Sequence, residues 1–173
     1  MKYFTISEML YSHTAVKRGI WNGCNREQED NLVALVDNVL DPARQRYGRV
    51  IHVNSGYRCP QLNTLIHGAL QSQHLQGEAA DLTTDAGPQG NLELAKVIIG
   101  LGHFDQLILE NVPGTSLMPQ WLHVSWRRNG RNRGEIRKKV AGCSQHPLLT
   151  AAELSEVRGL RSDVRGNSGR TAV

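Results

Sequence analysis

The sequence predicts an α+β domain with a central antiparallel sheet and flanking helices. Segments with helical periodicity and segments rich in β-branched residues follow one another without the regular strand–helix–strand repeat of a parallel sheet. Hydrophobic residues make up 39% of the 173 residues and charged residues 21%, which is typical of a globular domain and excludes a disordered or fibrous protein. This length suits one domain with a short tail.

The first third of the chain predicts one short element, one long helix and one strand. Residues 4–10 suggest a strand or turn that leads into a helical turn, with Ser7 as its N-cap. Residues 26–47 carry apolar side chains at helical spacing and stop at Gly48, which suits a left-handed helix cap. Residues 49–54 are rich in β-branched side chains and precede a Ser-Gly pair, which predicts a strand followed by a tight turn.

The remaining elements mix helices with strands. Pro60 suits the first turn of a helix, because the amides of that turn form no hydrogen bond within the helix and proline therefore costs none. A loop containing proline and glycine separates the last two predicted strands, which indicates that they pair in an antiparallel manner. These elements are a helix at 61–67, a strand at 79–83, a helix at 91–100, and strands at 104–110 and 121–126.

The C-terminal part of the chain is basic and then poor in apolar residues. Seven arginines and lysines fall within residues 127–139, which could attract nucleic acid, an anionic membrane or another acidic polymer. Aromatic residues do not alternate with these charges, so we expect a solvated face or extension and no nucleic-acid partner. Residues 147–160 predict a short helix capped by Thr150, and the chain from 161 is expected to be flexible.

The cysteine count and the N-terminal residues bear on where the protein is made. Three cysteines are an odd number, which excludes a complete set of disulfides within one chain and favours reduced thiols. The first ten residues contain no apolar run long enough for a signal peptide, and no transmembrane segment is expected. We therefore expect synthesis in the cytoplasm without a signal peptide.

Three residues suit the ligands of a catalytic zinc ion, which usually has three histidine or carboxylate ligands and a fourth position open to water. His74 ends a polar loop, and Asp81 follows seven residues later in a predicted strand, with Gly77 and two alanines that permit a tight turn. His123 lies on the polar side of a later strand, opposite its apolar neighbours. Taken alone, a strand histidine is more often a surface or packing residue than a ligand.

Three sequence blocks carry a resemblance to a known family. Residues 74–81 match the pattern H-x-x-G-x-A-x-D, and residues 121–123 resemble the later histidine motif of the same proteins. Residues 55–63 resemble the pattern S-G-Y-R-x-P-x-x-N of phage and bacterial members. The blocks occur in the family order, and the similarity covers about residues 4–126. The chain thus resembles peptidase family M15 of phage or prophage type, whose fold is shared with the hedgehog signalling domain.

The resemblance implies a hedgehog/DD-peptidase-like fold and a set of site residues. A zinc peptidase domain would cover residues 1–142, and residues 143–173 would form a partly flexible C-terminal extension. Arg58 matches the arginine that contacts the substrate and stabilises the scissile carbonyl, and Ser72 matches a position that can hydrogen-bond the substrate. The implied zinc ligands are His74, Asp81 and His123.

The chain departs from the best-known family pattern at the position of the general base. Many members carry glutamate three residues before the last ligand, but Gln120 stands there, and an amide cannot accept a proton as a carboxylate does. Glu110 ends a predicted strand and resembles the hedgehog-type glutamate beside the zinc water. We therefore assign Glu110 as the base; the alternative is an ordinary carboxylate at the end of a strand.

The implied activity is zinc-dependent hydrolysis of peptide bonds in bacterial peptidoglycan. The family includes D-alanyl-D-alanine carboxypeptidases and L-alanyl-D-glutamate endopeptidases, so the implied substrates are stem peptides and the implied cofactor is Zn²⁺. Such an enzyme would act at the bacterial cell wall after release, or as a virion component. The alternative is a metal-stabilised binding or structural domain with weak or no catalysis, because the same fold also serves signalling proteins.

Overall fold

A computed structural model describes residues 1–114 and 116–159 and confirms the α+β class. The helices in this part are α1 (Ile6–Leu10), α2 (His13–Arg18), α3 (Arg26–Leu35), α4 (Asp41–Tyr47), α5 (Pro60–Leu65), α6 (Gly87–Leu101) and α7 (Ala151–Gly159). The strands are β1 (His52–Ser55), β2 (Ala79–Thr83), β3 (Gln106–Val112), β4 (Trp121–Ser125) and β5 (Glu135–Val140). A π-helical turn at Val36–Leu40 joins α3 to α4, and a 3₁₀ turn covers Gln73–Gln76.

The five strands form one sheet in the order β1-β2-β4-β3-β5. The first four pair in an antiparallel manner, which confirms the predicted pairing of β3 with β4. β5 pairs in parallel with β3, so the sheet is mixed. This arrangement is compatible with a hedgehog/DD-peptidase-like fold. The sequence analysis missed β5, because charged side chains on this edge strand hide the alternation that identifies strands.

The two faces of the sheet differ in character. Leu82 pairs with Leu122 and Leu122 pairs with Leu109, and all three side chains are fully buried in the core that α3 and α6 help to form. His123 pairs with Asp81 on one neighbouring strand and with Ile108 on the other. Because successive side chains of a strand point to opposite faces, these three side chains lie on the other face of the sheet. The candidate functional residues therefore share the face opposite the apolar core.

The N-terminal helix begins differently from the prediction. Its N-cap is Thr5, so the prediction of Ser7 as the cap was wrong, and residues 4–10 contain no strand. The Thr5 hydroxyl accepts a hydrogen bond from the amide of Glu8 at 3.2 Å, and the Glu8 carboxylate accepts one from the amide of Thr5 at 2.8 Å. Thr-x-x-Glu is the capping-box signature, in which two unpaired amides are satisfied reciprocally.

The long predicted helix and its glycine end are confirmed. Residues 26–47 form one helical run through the π turn, and Gly48 closes it with a φ of 74°. The helix predicted at 91–100 is longer than expected, because α6 begins at Gly87 and ends before the left-handed Gly102. No helix in the described ranges is both long and apolar enough to cross a membrane.

The basic stretch 127–139 is not simply a solvated extension, which corrects the prediction. Arg133 pairs with the fully buried carboxylate of Asp105, and Lys138 on β5 pairs with Glu153 on α7. These ion pairs reduce the positive charge that the stretch presents to solvent. They also attach the chain around β5 to the rest of the fold.

Part of the described chain after residue 142 packs on the domain. Thr150 caps α7 as predicted, since its hydroxyl accepts a hydrogen bond from the amide of Glu153 at 3.3 Å. Leu149 and Val157 are buried in the core. The tail predicted to be flexible, from residue 161, lies outside the described residues. The three cysteines are free thiols.

Candidate metal centre

The 3₁₀ turn at residues 73–76 presents His74, whose side chain is only 2% exposed. Two side chains of α3 hold this turn: Gln28 and Asn31 each donate a hydrogen bond to one of its carbonyls at 2.9 Å. Gly77 follows with a φ of 71°, and a Cβ there would lie 2.4 Å from the carbonyl oxygen of Gln28. The close approach of α3 therefore requires glycine at this position.

Strand pairing brings the other two predicted ligands together. Asp81 on β2 and His123 on β4 are directly paired, so their side chains project side by side from one face. Nδ1 of His123 lies 3.0 Å from Oδ1 of Asp81, and Nε2 of His74 lies 3.2 Å from each of these atoms. The three groups could hold a metal ion, because one donor atom from each lies within 4.8 Å of the others.

The hydrogen bonding of His74 fixes which ring nitrogen is free. Its Nδ1 lies 2.6 Å from the carbonyl oxygen of Gly56, which can only accept, so Nδ1 carries the proton. Burial lowers the pKa of His74, which favours the neutral ring with a lone pair on Nε2. That lone pair faces an oxygen of Asp81 and a nitrogen of His123. Converging lone pairs repel one another, and a bound cation relieves this repulsion, so the donor set fits a divalent metal.

The carboxylate of Asp81 is oriented from its other side by Arg58. The Arg58 guanidinium donates to Oδ2 of Asp81 and, through Nε, to the hydroxyl of Ser55 at 2.7 Å. Arg58 thus lies at the candidate centre and orients a predicted ligand. Its expected contact with substrate stays a prediction.

Glu110 lies on the same sheet face as the metal cluster. Ile108 pairs with His123 and Glu110 with Trp121, so the alternation of β3 directs the side chains of Ile108 and Glu110 to the face of His123. Glu110 is 7% exposed, and its Oε2 has no hydrogen-bond partner among the described residues. Burial raises the pKa of Glu110, although the charge of Lys139 opposes this effect.

Two other positions named by the sequence analysis are less involved. Ser72 is half-buried at the start of the 3₁₀ turn, and its side chain does not cap that turn. Its expected hydrogen bond to substrate stays a prediction. Gln120 is exposed, and its main-chain amide donates to the carbonyl of Glu110 at 2.9 Å.

Sequence reasoning did not identify Asp105 as the anchor of the His74 turn. Asp105 is fully buried and accepts hydrogen bonds from Gln73 at 3.1 Å and from the Arg133 guanidinium at 2.8 and 2.6 Å. Burial opposes ionisation of Asp105, but Arg133 holds its pKa below the ordinary value. Gln73 precedes His74, so this network fixes the chain beside a candidate ligand. Its members are too far apart in sequence to form a local motif.

The fold and the site together define an α+β protein with a His–Asp–His cluster able to hold a divalent metal and a buried carboxylate on the same sheet face. A sequence model of the family described as Peptidase M15 matches residues 2–124. The chain therefore belongs to the peptidase M15 family, whose members are metallopeptidases. A search of curated proteins found no match.

Proposed function

We propose that this protein is a zinc metallopeptidase that hydrolyses peptide bonds in the stem peptides of bacterial peptidoglycan. Family membership supports a peptidase, and the M15 resemblance supports D-alanyl-D-alanine carboxypeptidase or L-alanyl-D-glutamate endopeptidase activity. The main structural support for the proposal is that one donor atom from each of His74, Asp81 and His123 converges on one point. Two imidazoles and one carboxylate are a typical ligand set for catalytic Zn²⁺, which keeps one further position open.

The proposed mechanism assigns a role to each site residue. When bound, zinc supplies Lewis acidity that polarises water and the scissile carbonyl. Glu110 removes a proton from the attacking water as its oxygen bonds to the carbonyl carbon, and then gives that proton to the amine as the C–N bond breaks. Arg58 stabilises the negative charge that develops on the carbonyl oxygen, and Ser72 binds the substrate.

The proposal is tested by digesting purified peptidoglycan with wild-type protein in the presence of zinc and after chelation. Mass spectrometry of the released fragments distinguishes loss of terminal D-alanine from cleavage between L-alanine and D-glutamate. Glu110→Gln should reduce the rate about 10²–10⁴-fold, because it removes the general base. The mutant should still bind zinc, because Glu110 is not among the three converging donors. Glu27→Gln changes an exposed glutamate in the same way and serves as the matched control.

The outcomes separate the enzyme from a metal-stabilised binding domain of the same fold. Zinc-dependent hydrolysis that Glu110→Gln abolishes supports the enzyme. A zinc-loaded wild-type protein that binds peptidoglycan but releases no fragments contradicts it and favours the binding domain. Equal rates for the wild type and Glu110→Gln would remove Glu110 from the mechanism.

We also propose that the protein is of phage or prophage type and acts at the cell wall after release or within a virion. This part of the proposal rests on the resemblance of residues 55–63 to phage and bacterial members. Protein added to bacteria with a permeabilised outer layer should release wall fragments. Failure on such cells, combined with activity on purified peptidoglycan, would contradict a role in lysis.

A further inference from the structure

Residues beyond the family match reach the candidate base. The match ends at residue 124, but Lys139 on β5 places Nζ 4.0 Å from Oε2 of Glu110. His146 follows β5 and places Nε2 3.6 Å from Oε1 of the same carboxylate. Two basic side chains thus approach the two oxygens of one buried carboxylate.

The backbone around Glu110 is irregular where this contact is made. Leu109 pairs with Lys138 and Val112 with Val140, so β3 has one more residue than β5 in this interval. The interval contains Asn111, whose φ of 53° is left-handed. An extra residue in one strand bends it and redirects side chains, and such bulges are frequent beside active sites. This bulge lies next to Glu110 and opposite Lys139.

The main chain at His146 and Pro147 is held by hydrogen bonds from β5. Its carbonyl oxygen accepts from Nη1 of Arg137 at 2.8 Å, and the next carbonyl, of Pro147, accepts from the amide of Lys138 at 3.1 Å. Arg137 also forms an antiparallel bridge with Leu148. Residues 146–148 therefore run along β5, and this pairing directs the imidazole towards Glu110.

We propose that Lys139 and His146 are positioning residues that act through Glu110, with Lys139 keeping its carboxylate ionised and His146 holding the second oxygen in place. The inference rests on the proposed function, because it assumes that Glu110 is the general base. A carboxylate that is 7% exposed tends to take up a proton, and a lysine at 4.0 Å offsets this tendency. Lys139 and His146 are each about one-third exposed.

Several charged groups affect the ionisation of the Glu110 carboxyl, and among those that favour the ionised form Lys139 has the largest effect. Burial lowers the pKa of His146, which favours a neutral ring that can donate towards Oε1 without adding charge. Lys139 on β5 and His146 after β5 approach the Glu110 carboxylate, and the charges of His123 on β4, Asp81 on β2 and Arg58 after β1 also affect its ionisation.

The test is the pH dependence of kcat/KM for hydrolysis by the zinc-loaded, full-length protein. Lys139→Met should move the acid limb to higher pH by roughly one unit, because an opposite charge at this distance lowers a carboxyl pKa by about 1–3 units. Lys139→Arg should restore the wild-type limb. Lys138→Met is the matched control, since the neighbouring lysine pairs with Glu153 on α7, and it should leave the limb unchanged.

His146 is tested by separating kcat from KM. His146→Ala should lower kcat about tenfold with little change in KM, and His146→Gln, which retains a donor, should recover part of the loss. Zinc affinity and thermal stability, measured on every variant, separate a positioning role from a folding defect. Parallel losses of kcat and stability in both His146 variants would overturn the role of His146.

A second readout keeps this inference separate from the proposed function. The Glu110 carboxyl can be titrated by NMR in wild type and in Lys139→Met, with Glu110→Gln identifying its signal. A wild-type protein without hydrolytic activity would contradict the proposed function alone. The positioning role of Lys139 would be overturned if Lys139→Met left both the acid limb and the Glu110 titration within about 0.2 pH units of their wild-type positions.

Discussion

Replacing Asp105 by asparagine should show how much the network beside His74 contributes to stability. The carboxylate is fully buried and accepts four hydrogen bonds, one from Gln73 and three from Arg133, of which one comes from the main-chain amide. Asparagine keeps the shape but offers one oxygen, and its NH₂ group points at donors that then lack an acceptor.

The expected cost follows from burial and partner exposure. Breaking a buried ion pair costs roughly 3–5 kcal/mol. The Arg133 side chain is 35% exposed and can regain water, so we expect the lower end, about 3 kcal/mol. For a domain of this size that loss corresponds to a fall in Tm of about 6–12 °C.

Denaturant unfolding monitored by circular dichroism measures this cost. Asp30→Asn is the matched control, because Asp30 is 37% exposed and pairs with Arg26 and Arg128 at the surface, so its loss should cost less than about 1 kcal/mol. An effect of Asp105→Asn no larger than that of Asp30→Asn would refute the reasoning.

The dependence on pH gives a further check with a definite sign. The folded-state pKa of Asp105 lies below its ordinary value, so the contribution of its charge is present above the unfolded pKa of about 3.9. The stability difference between wild type and Asp105→Asn should be constant near neutral pH and shrink as the pH falls below about 4. A difference that grows in acid would contradict this assignment.

Two further predictions concern the ligand turn and the metal. Gly77→Ala should lower both stability and zinc affinity, and its cost in stability should exceed the roughly 1–2 kcal/mol expected for Gly19→Ala. Both glycines have a left-handed backbone, but only the new Cβ at Gly77 meets a carbonyl oxygen. Equal losses of stability in a melting experiment would contradict this prediction. Zinc at about a thousand times its Kd should stabilise the wild type by about 4 kcal/mol, a rise in Tm of roughly 8–16 °C that chelation removes. In calorimetry, His123→Ala should lose this zinc-dependent rise in Tm, and the control His103→Ala, which changes an exposed histidine, should keep it. A rise retained by His123→Ala would count against the metal centre.

Local sequence patterns were informative where structure depends on near neighbours. The helical run ending at Gly48 and the cap at Thr150 follow from apolar spacing and capping chemistry, and both are confirmed. The error at Ser7 came from passing over the Thr-x-x-Glu signature that begins at Thr5. β5 was missed because its charged residues resemble a solvated segment, and the acidic partners of Lys138 and Lys139 lie elsewhere in the chain.

The sequence by itself determined the α+β class and the identities of His74, Asp81 and His123 as candidate metal donors, because periodicity and motif spacing are local properties. Only the tertiary structure decided that their donor atoms converge, since that depends on the register of β2 with β4 and on the carbonyl of Gly56 that orients His74. The approach of later segments to Glu110 was likewise decided by strand pairing, which joins residues that no local pattern relates.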